Sequence, residues 1–169
     1  MSQGYRRTRE AISLTADLCR LVERPVPDPG PEGSLPYYTD DEYERDVGDA
    51  LKRFAGGPVW VFGYGSLIWR PPVTFVERRP GLVRGWHRAF CLKTTRWRGT
   101  GEAPGVKMAL ERGGSCRGML LRIDPDHAAR DLEVIWRREI GVKPVNHHAR
   151  LLQVATPEGK VSALAFTAN

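Results

Sequence analysis

The sequence has little cysteine, and it contains no long apolar run and no block of one charge. Cys19, Cys91 and Cys116 are odd in number and far apart, which argues against a disulfide framework and against a zinc knuckle. No apolar run approaches the ~20 residues of a membrane-spanning helix, and Met1 to Arg9 leads into no signal-peptide hydrophobic region. The formal charge of +6, from 26 Lys+Arg against 20 Asp+Glu, is moderate and spread along the chain. That distribution makes a nucleic-acid partner a weak inference, whereas an anionic small substrate suits the same charge. A reducing cytoplasm is the simplest setting for such a chain. At 169 residues there is enough chain for one domain with a sizeable core.

The most instructive stretch is Val59 to Trp69, Val-Trp-Val-Phe-Gly-Tyr-Gly-Ser-Leu-Ile-Trp. β-Branched and aromatic residues from Val59 to Phe62 favour a buried strand. Gly63 and Gly65 then predict a turn with positive φ, able to present successive backbone N–H groups to one point. A tight turn between two core strands and a small-anion site both fit this pattern. Three familiar motifs do not fit. A dinucleotide fingerprint needs a third glycine where Ile68 stands, and Trp69, Pro71 and Pro72 follow instead of a helix interior. A nucleophile elbow around Ser66 needs glycines where Tyr64 and Ile68 stand. A phosphate loop needs Gly-Lys followed by Ser or Thr, which occurs nowhere.

Before this stretch, Ala11, Leu14, Leu18, Leu21 and Val22 recur at helical spacing and predict an amphipathic helix with a packing face. The prolines at 25, 27, 29 and 31 then mark a linker. Thr39 with Glu42 three residues on is a capping box, and Tyr43, Val47, Leu51 and Phe54 continue a helix up to Gly56-Gly57 that should pack on the following domain. Residues 1–57 therefore read as a helical amino-terminal extension with a Pro-rich linker, and 58–169 as the domain proper.

After the turn, Phe75-Val76, Gly81 to Trp86, Ala89 to Thr94, Val106 to Leu110 and Gly118 to Ile123 read as strands of a meandering, largely antiparallel sheet. Arg96 and Arg98 lie in a loop that would recruit an anion or simply be solvated. Asp124 and Pro125 open a helix running to about Ile140. Leu132, Ile135 and Trp136 form its apolar stripe, and Glu139 falls on the same face. A carboxylate there is costly unless paired, protonated or used, so a structural salt bridge and a catalytic role both remain open. His87 reads as a structural histidine. His147 and His148, adjacent on a strand, would point to opposite faces and make a poor metal pair.

Phe-Gly-Tyr-Gly-Ser-Leu-Ile-Trp at 62–69 resembles the signature of the ChaC-type γ-glutamylcyclotransferases. The resemblance continues through Gly85-Trp86-His87-Arg88-Ala89-Phe90-Cys91-Leu92, Arg98-Gly99-Thr100, Pro104-Gly105 and Trp136-Arg137-Arg138-Glu139, over residues 58–169 in matching order. It implies an α+β fold, a small mixed β-barrel flanked by helices. It also implies that Glu139 is the catalytic general acid/base and that Tyr64, Gly65, Ser66 and Leu67 hold the γ-glutamyl group. The implied reaction is the intramolecular attack of the α-amine of glutathione on its own γ-carbonyl, a lyase-type step giving 5-oxoproline and cysteinylglycine. Neither metal nor other cofactor is implied. The family continues past the strand at Ala163 to Asn169, so the domain reads as shortened at its carboxyl end, which should leave an exposed edge there. A non-catalytic relative binding a γ-glutamyl or amino-acid ligand, or a regulatory protein, is the second reading.

Overall fold

The computed structural model describes residues 16–22 and 35–168. The predicted linker prolines, Ala11 and Leu14 lie outside these residues. Among the described residues, ten elements follow one another. Helix α1 is Ala16–Val22, α2 is Asp40–Lys52, strand β1 is Trp60–Gly63 and the single-turn helix α3 is Ser66–Trp69. Strands β2, Phe75–Thr94, and β3, Gly105–Ile123, precede a 3-10 turn at Pro125–His127 and helix α4, Ala128–Glu139. Strands β4, His148–Thr156, and β5, Gly159–Thr167, complete the order.

The strands close into a barrel in the order β1-β3-β2-β4-β5, with β5 running parallel to β1 and the hairpin pairs antiparallel. This is the small mixed barrel that the resemblance implied. Alternation along the central strands sorts the core into two layers. Val61 on β1 and Leu164 and Phe166 on β5 face the helices, where they meet Val47 of α2 and Leu132, Ile135 and Trp136 of α4. Phe62, Tyr64, Leu110, Leu120, Ala163 and Ala165 fill the other layer. Both faces of β1 are covered, which is why its four residues are all apolar or glycine and all buried.

Some expectations are corrected. The separate short strands merge into two long ones, because Pro80, Gly85 and Gly113-Gly114 lie within β2 and β3 and do not end them. A register shift between Arg84 and Trp86 accommodates Gly85, at φ 79°, so the glycine bends the ladder without breaking it. Strand β5 pairs with β4 on one side and meets β1 and β3 on the other, so no open edge remains at Ala163 to Thr167. On α1, Leu18 and Leu21 are exposed, at 45% and 81%.

The capping box forms as predicted, with the Glu42 amide 3.3 Å from Thr39 Oγ1 and the Thr39 amide 2.8 Å from Glu42 Oε2. Helix α2 packs on α4. Tyr43 of α2 donates to the carbonyl of Ile140 at 2.7 Å, and Tyr37 bridges to Val142. Residues 35–43 therefore brace the chain immediately after Glu139.

Candidate active site

Strand β1 ends at Gly63, and the chain turns at Tyr64-Gly65 into the single turn of α3. Neither glycine adopts positive φ; Gly65 sits at φ −144° and caps α3. The turn is instead built by the helical turn itself, with Ile68 N–H bonded to the Gly65 carbonyl at 2.9 Å and Arg70 N–H to the Ser66 carbonyl at 2.8 Å. A side chain at either glycine would meet side-chain ends that must give way: a Cβ on Gly63 would stand 2.9 Å from Leu121 Cδ1, and one on Gly65 3.2 Å from Met108 Cε. Arg88 on β2 fastens this turn, donating from Nε to the Tyr64 carbonyl at 2.8 Å and from a second nitrogen to the Arg117 carbonyl. The Tyr64 hydroxyl donates to the Phe166 carbonyl at 2.6 Å, tying the turn to β5.

Beside the turn lies an open cavity of about 1190 Å³, larger than the roughly 300–1,000 Å³ of common small-molecule sites. Tyr64, Gly65, Ser66 and Leu67 all line it, and so does Glu139 from the end of α4. The structure thus brings together every candidate site residue of the sequence, although the Leu67 side chain is buried in the core and offers the cavity little besides its backbone. Arg96 and Arg98 line it too. Arg96 stacks over the rings of Tyr37 and Trp97, its carbon 5.7 and 6.0 Å from their centroids. Gly99 and Gly105 let this loop fold on itself, since a Cβ on either would overlap the other's backbone or that of Arg98.

The stripe argument for Glu139 holds: Leu132, Ile135 and Trp136 are buried, and the Glu139 side chain retains 13% exposure, toward the cavity. Its Oε1 lies 3.9 Å from Arg138 Nε and its Oε2 3.6 Å from His147 Nδ1. Both exceed hydrogen-bond distance, so the carboxylate keeps lone pairs for a ligand. Its charge reaches its neighbours. Burial pushes the Tyr64 phenol up, and the Glu139 carboxylate adds to the effect. Burial lowers the Lys107 ammonium, an effect that Glu139 opposes and that Arg98 and Arg138 reinforce. One carboxylate thus shares the cavity with Arg96, Arg98, Lys107, Arg137 and Arg138, an arrangement suited to a substrate bearing carboxylates and an amine.

Sequence reasoning missed Lys107, Asn146, Phe166 and His147. Lys107 and Phe166 look like ordinary strand residues, and only the closing of the barrel turns them toward the cavity. His147 was read as a strand residue facing away from His148, but β4 begins at His148. His147 ends the preceding link, and its ring lies against Glu139. Among the described residues, no three His, Cys, Asp or Glu side chains gather as a metal-binding group, and no helix is long and apolar enough to cross a membrane.

The family model for ChaC-like proteins matches residues 59–169. A glutathione-specific γ-glutamylcyclotransferase of Escherichia coli strain K12 is 46% identical over 84 residues, which is 50% of this chain and 36% of that protein. A glutathione-specific γ-glutamylcyclotransferase 1 of Homo sapiens is 34% identical over 118 residues, 66% of this chain and 51% of that protein. The chain thus spans about half the length, or less, of these curated relatives. The crystal structure of a glutathione-specific γ-glutamyl cyclotransferase from yeast superposes with a TM-score of 0.54 at 20% identity, covering 66% of this chain and 69% of that one. That similarity bears on the fold.

Proposed function

The chain belongs to the ChaC-like family, and from that membership and the setting of Glu139 we propose that it is a γ-glutamylcyclotransferase, converting glutathione to 5-oxoproline and cysteinylglycine. The α-amine and the γ-carbonyl lie in one molecule, so the attack that closes the five-membered lactam needs no second reactant, and proximity comes from the substrate. The nitrogen of the α-amine bonds to the γ-carbon while the bond from that carbon to the cysteinyl nitrogen breaks. On the way to the lactam N–H the α-ammonium nitrogen sheds two protons, and Glu139 relays them to the departing cysteinyl nitrogen, which leaves as an ammonium group, so atoms balance without water or cofactor. Tyr64, Gly65, Ser66 and Leu67 hold the γ-glutamyl group, by backbone N–H groups and the Ser66 hydroxyl. Lys107, Arg98 and Arg138 supply the positive field for the substrate's carboxylates. A cytoplasmic setting, where glutathione is kept reduced, goes with this reading.

The observation that carries the proposal is that a mostly buried carboxylate, Glu139, opens into the same cavity as the Tyr64 to Leu67 turn. Incubation with glutathione and detection of 5-oxoproline tests it. Glu139→Gln keeps the side-chain shape but cannot exchange a proton, so a folded variant should lose turnover. Most activity retained in that folded protein would sink the assignment of Glu139. A variant that fails to fold would point to a structural ion pair with Arg138.

A further inference from the structure

The reaction above leaves one buried titratable group beside Glu139 without a task. The ring of His147 is 1% exposed. Its Nδ1 lies 3.2 Å from the Glu139 carbonyl oxygen and 3.6 Å from Oε2 of the same residue. Glu139 is the last residue of α4, where carbonyls lack partners within the helix. A carbonyl only accepts, so this bond requires the hydrogen on Nδ1, and a neutral ring then carries a bare lone pair at Nε2. Nε2 is indeed buried without a partner, and an orphaned acceptor is tolerated there better than an orphaned N–H. The ring stays neutral because burial, and next the Lys107 charge from β3, lower its pKa to about 4; His148 acts in the same direction and the Glu139 carbonyl opposes it.

We propose that His147 is a positioning residue for the Glu139 carboxylate, an inference that rests on the reaction proposed above. Its Nδ1–H bonds the main-chain carbonyl and so pins the last turn of α4. The same N–H dipole faces Oε2, while Arg138 faces Oε1 from the other side. The carboxylate is thereby held turned into the cavity, with neither oxygen committed to a hydrogen bond that substrate would have to break. Removing the ring frees both the helix end and the carboxylate rotamer and leaves the Tyr64 to Leu67 turn untouched, so the loss belongs in kcat more than in KM.

Two measurements test this. In a long-range 1H–15N spectrum of the histidine rings at neutral pH, His147 should be the neutral Nδ1–H tautomer, and its ring signals should move in Glu139→Gln. In steady-state turnover of glutathione, His147→Leu should lower kcat by about 10- to 100-fold with KM within about twofold, and His147→Asn, which offers an amide N–H near the place of Nδ1, should recover most of it. An Nε2–H tautomer, ring signals indifferent to Glu139→Gln, a folded His147→Leu within about twofold of wild-type kcat, or a folded His147→Asn no better than His147→Leu would each overturn the proposal. The spectrum stands if His147→Leu does not fold. Wild-type protein that releases no 5-oxoproline would refute the assigned reaction, whereas the tautomer and its response to Glu139→Gln would still decide whether His147 is tied to Glu139.

Discussion

A buried neutral histidine makes stability depend on pH in a way that can be worked out in advance. His147 has an ordinary value of 6.5 when unfolded and about 4 in the folded chain, chiefly because burial penalises its charged form. Above pH 6.5 both states are neutral there, and His147 adds no pH dependence. Between pH 6.5 and 4 the unfolded chain binds a proton that the folded chain refuses, so stability falls as pH falls, by up to about 1.4 kcal/mol per pH unit. By pH 5 the loss should be about 2 kcal/mol, and once pH has dropped below 4 it should be complete at about 3 kcal/mol. Other groups titrate in this window, so the useful quantity is a difference. Urea unfolding of wild type and His147→Asn, measured from pH 7.5 down to 4.5, should show the wild-type advantage shrinking by about 2 kcal/mol or more. A gap that stays constant within about 0.5 kcal/mol across that range would refute the reasoning, because a ring that charges equally in both states carries no such term.

Gly65→Val should weaken glutathione binding more than it weakens the fold: its Cβ meets the flexible end of Met108, which can move, but moves into the cavity. An unchanged KM for glutathione would mean that this turn does not hold substrate. Thr39→Ala removes the hydroxyl that caps α2 and should cost about 1 kcal/mol, read as a thermal midpoint lower by about 2–4 °C. Since α2 braces the segment after Glu139 through the Tyr43 hydroxyl, turnover measured well below the melting temperature should be little changed.

Helices α2 and α4 were legible because their signals are local. The capping box at Thr39 and Glu42 and the stripe of Leu132, Ile135 and Trp136 need only neighbours within a turn or two, and they appear where the spacing puts them. The strands were legible in kind but not in length. Glycine inside β2 and β3 reads as punctuation, yet long-range pairing over most of both strands outweighs the local preference to turn. The turn at Gly63 to Ser66 shows the same limit from the other side. Its glycines were ascribed to positive φ, which neither adopts, and what lies close to them is the side-chain ends of Leu121 and Met108 from β3, more than forty residues away.

What the sequence by itself determined was the barrel class, through the order of motifs it shares with the family, and the burial of the Glu139 face, through helical periodicity, because both are properties of the chain. Only the tertiary structure decided what surrounds that carboxylate. Lys107 comes from β3, Phe166 from β5 and His147 from the link after α4, and no pattern of spacing connects them. Their meeting depends on β5 lying parallel to β1 and closing the sheet. The electrostatics of the site, including a histidine held neutral against the glutamate, follow from that closure, since desolvation and charge proximity exist only once distant segments have packed together.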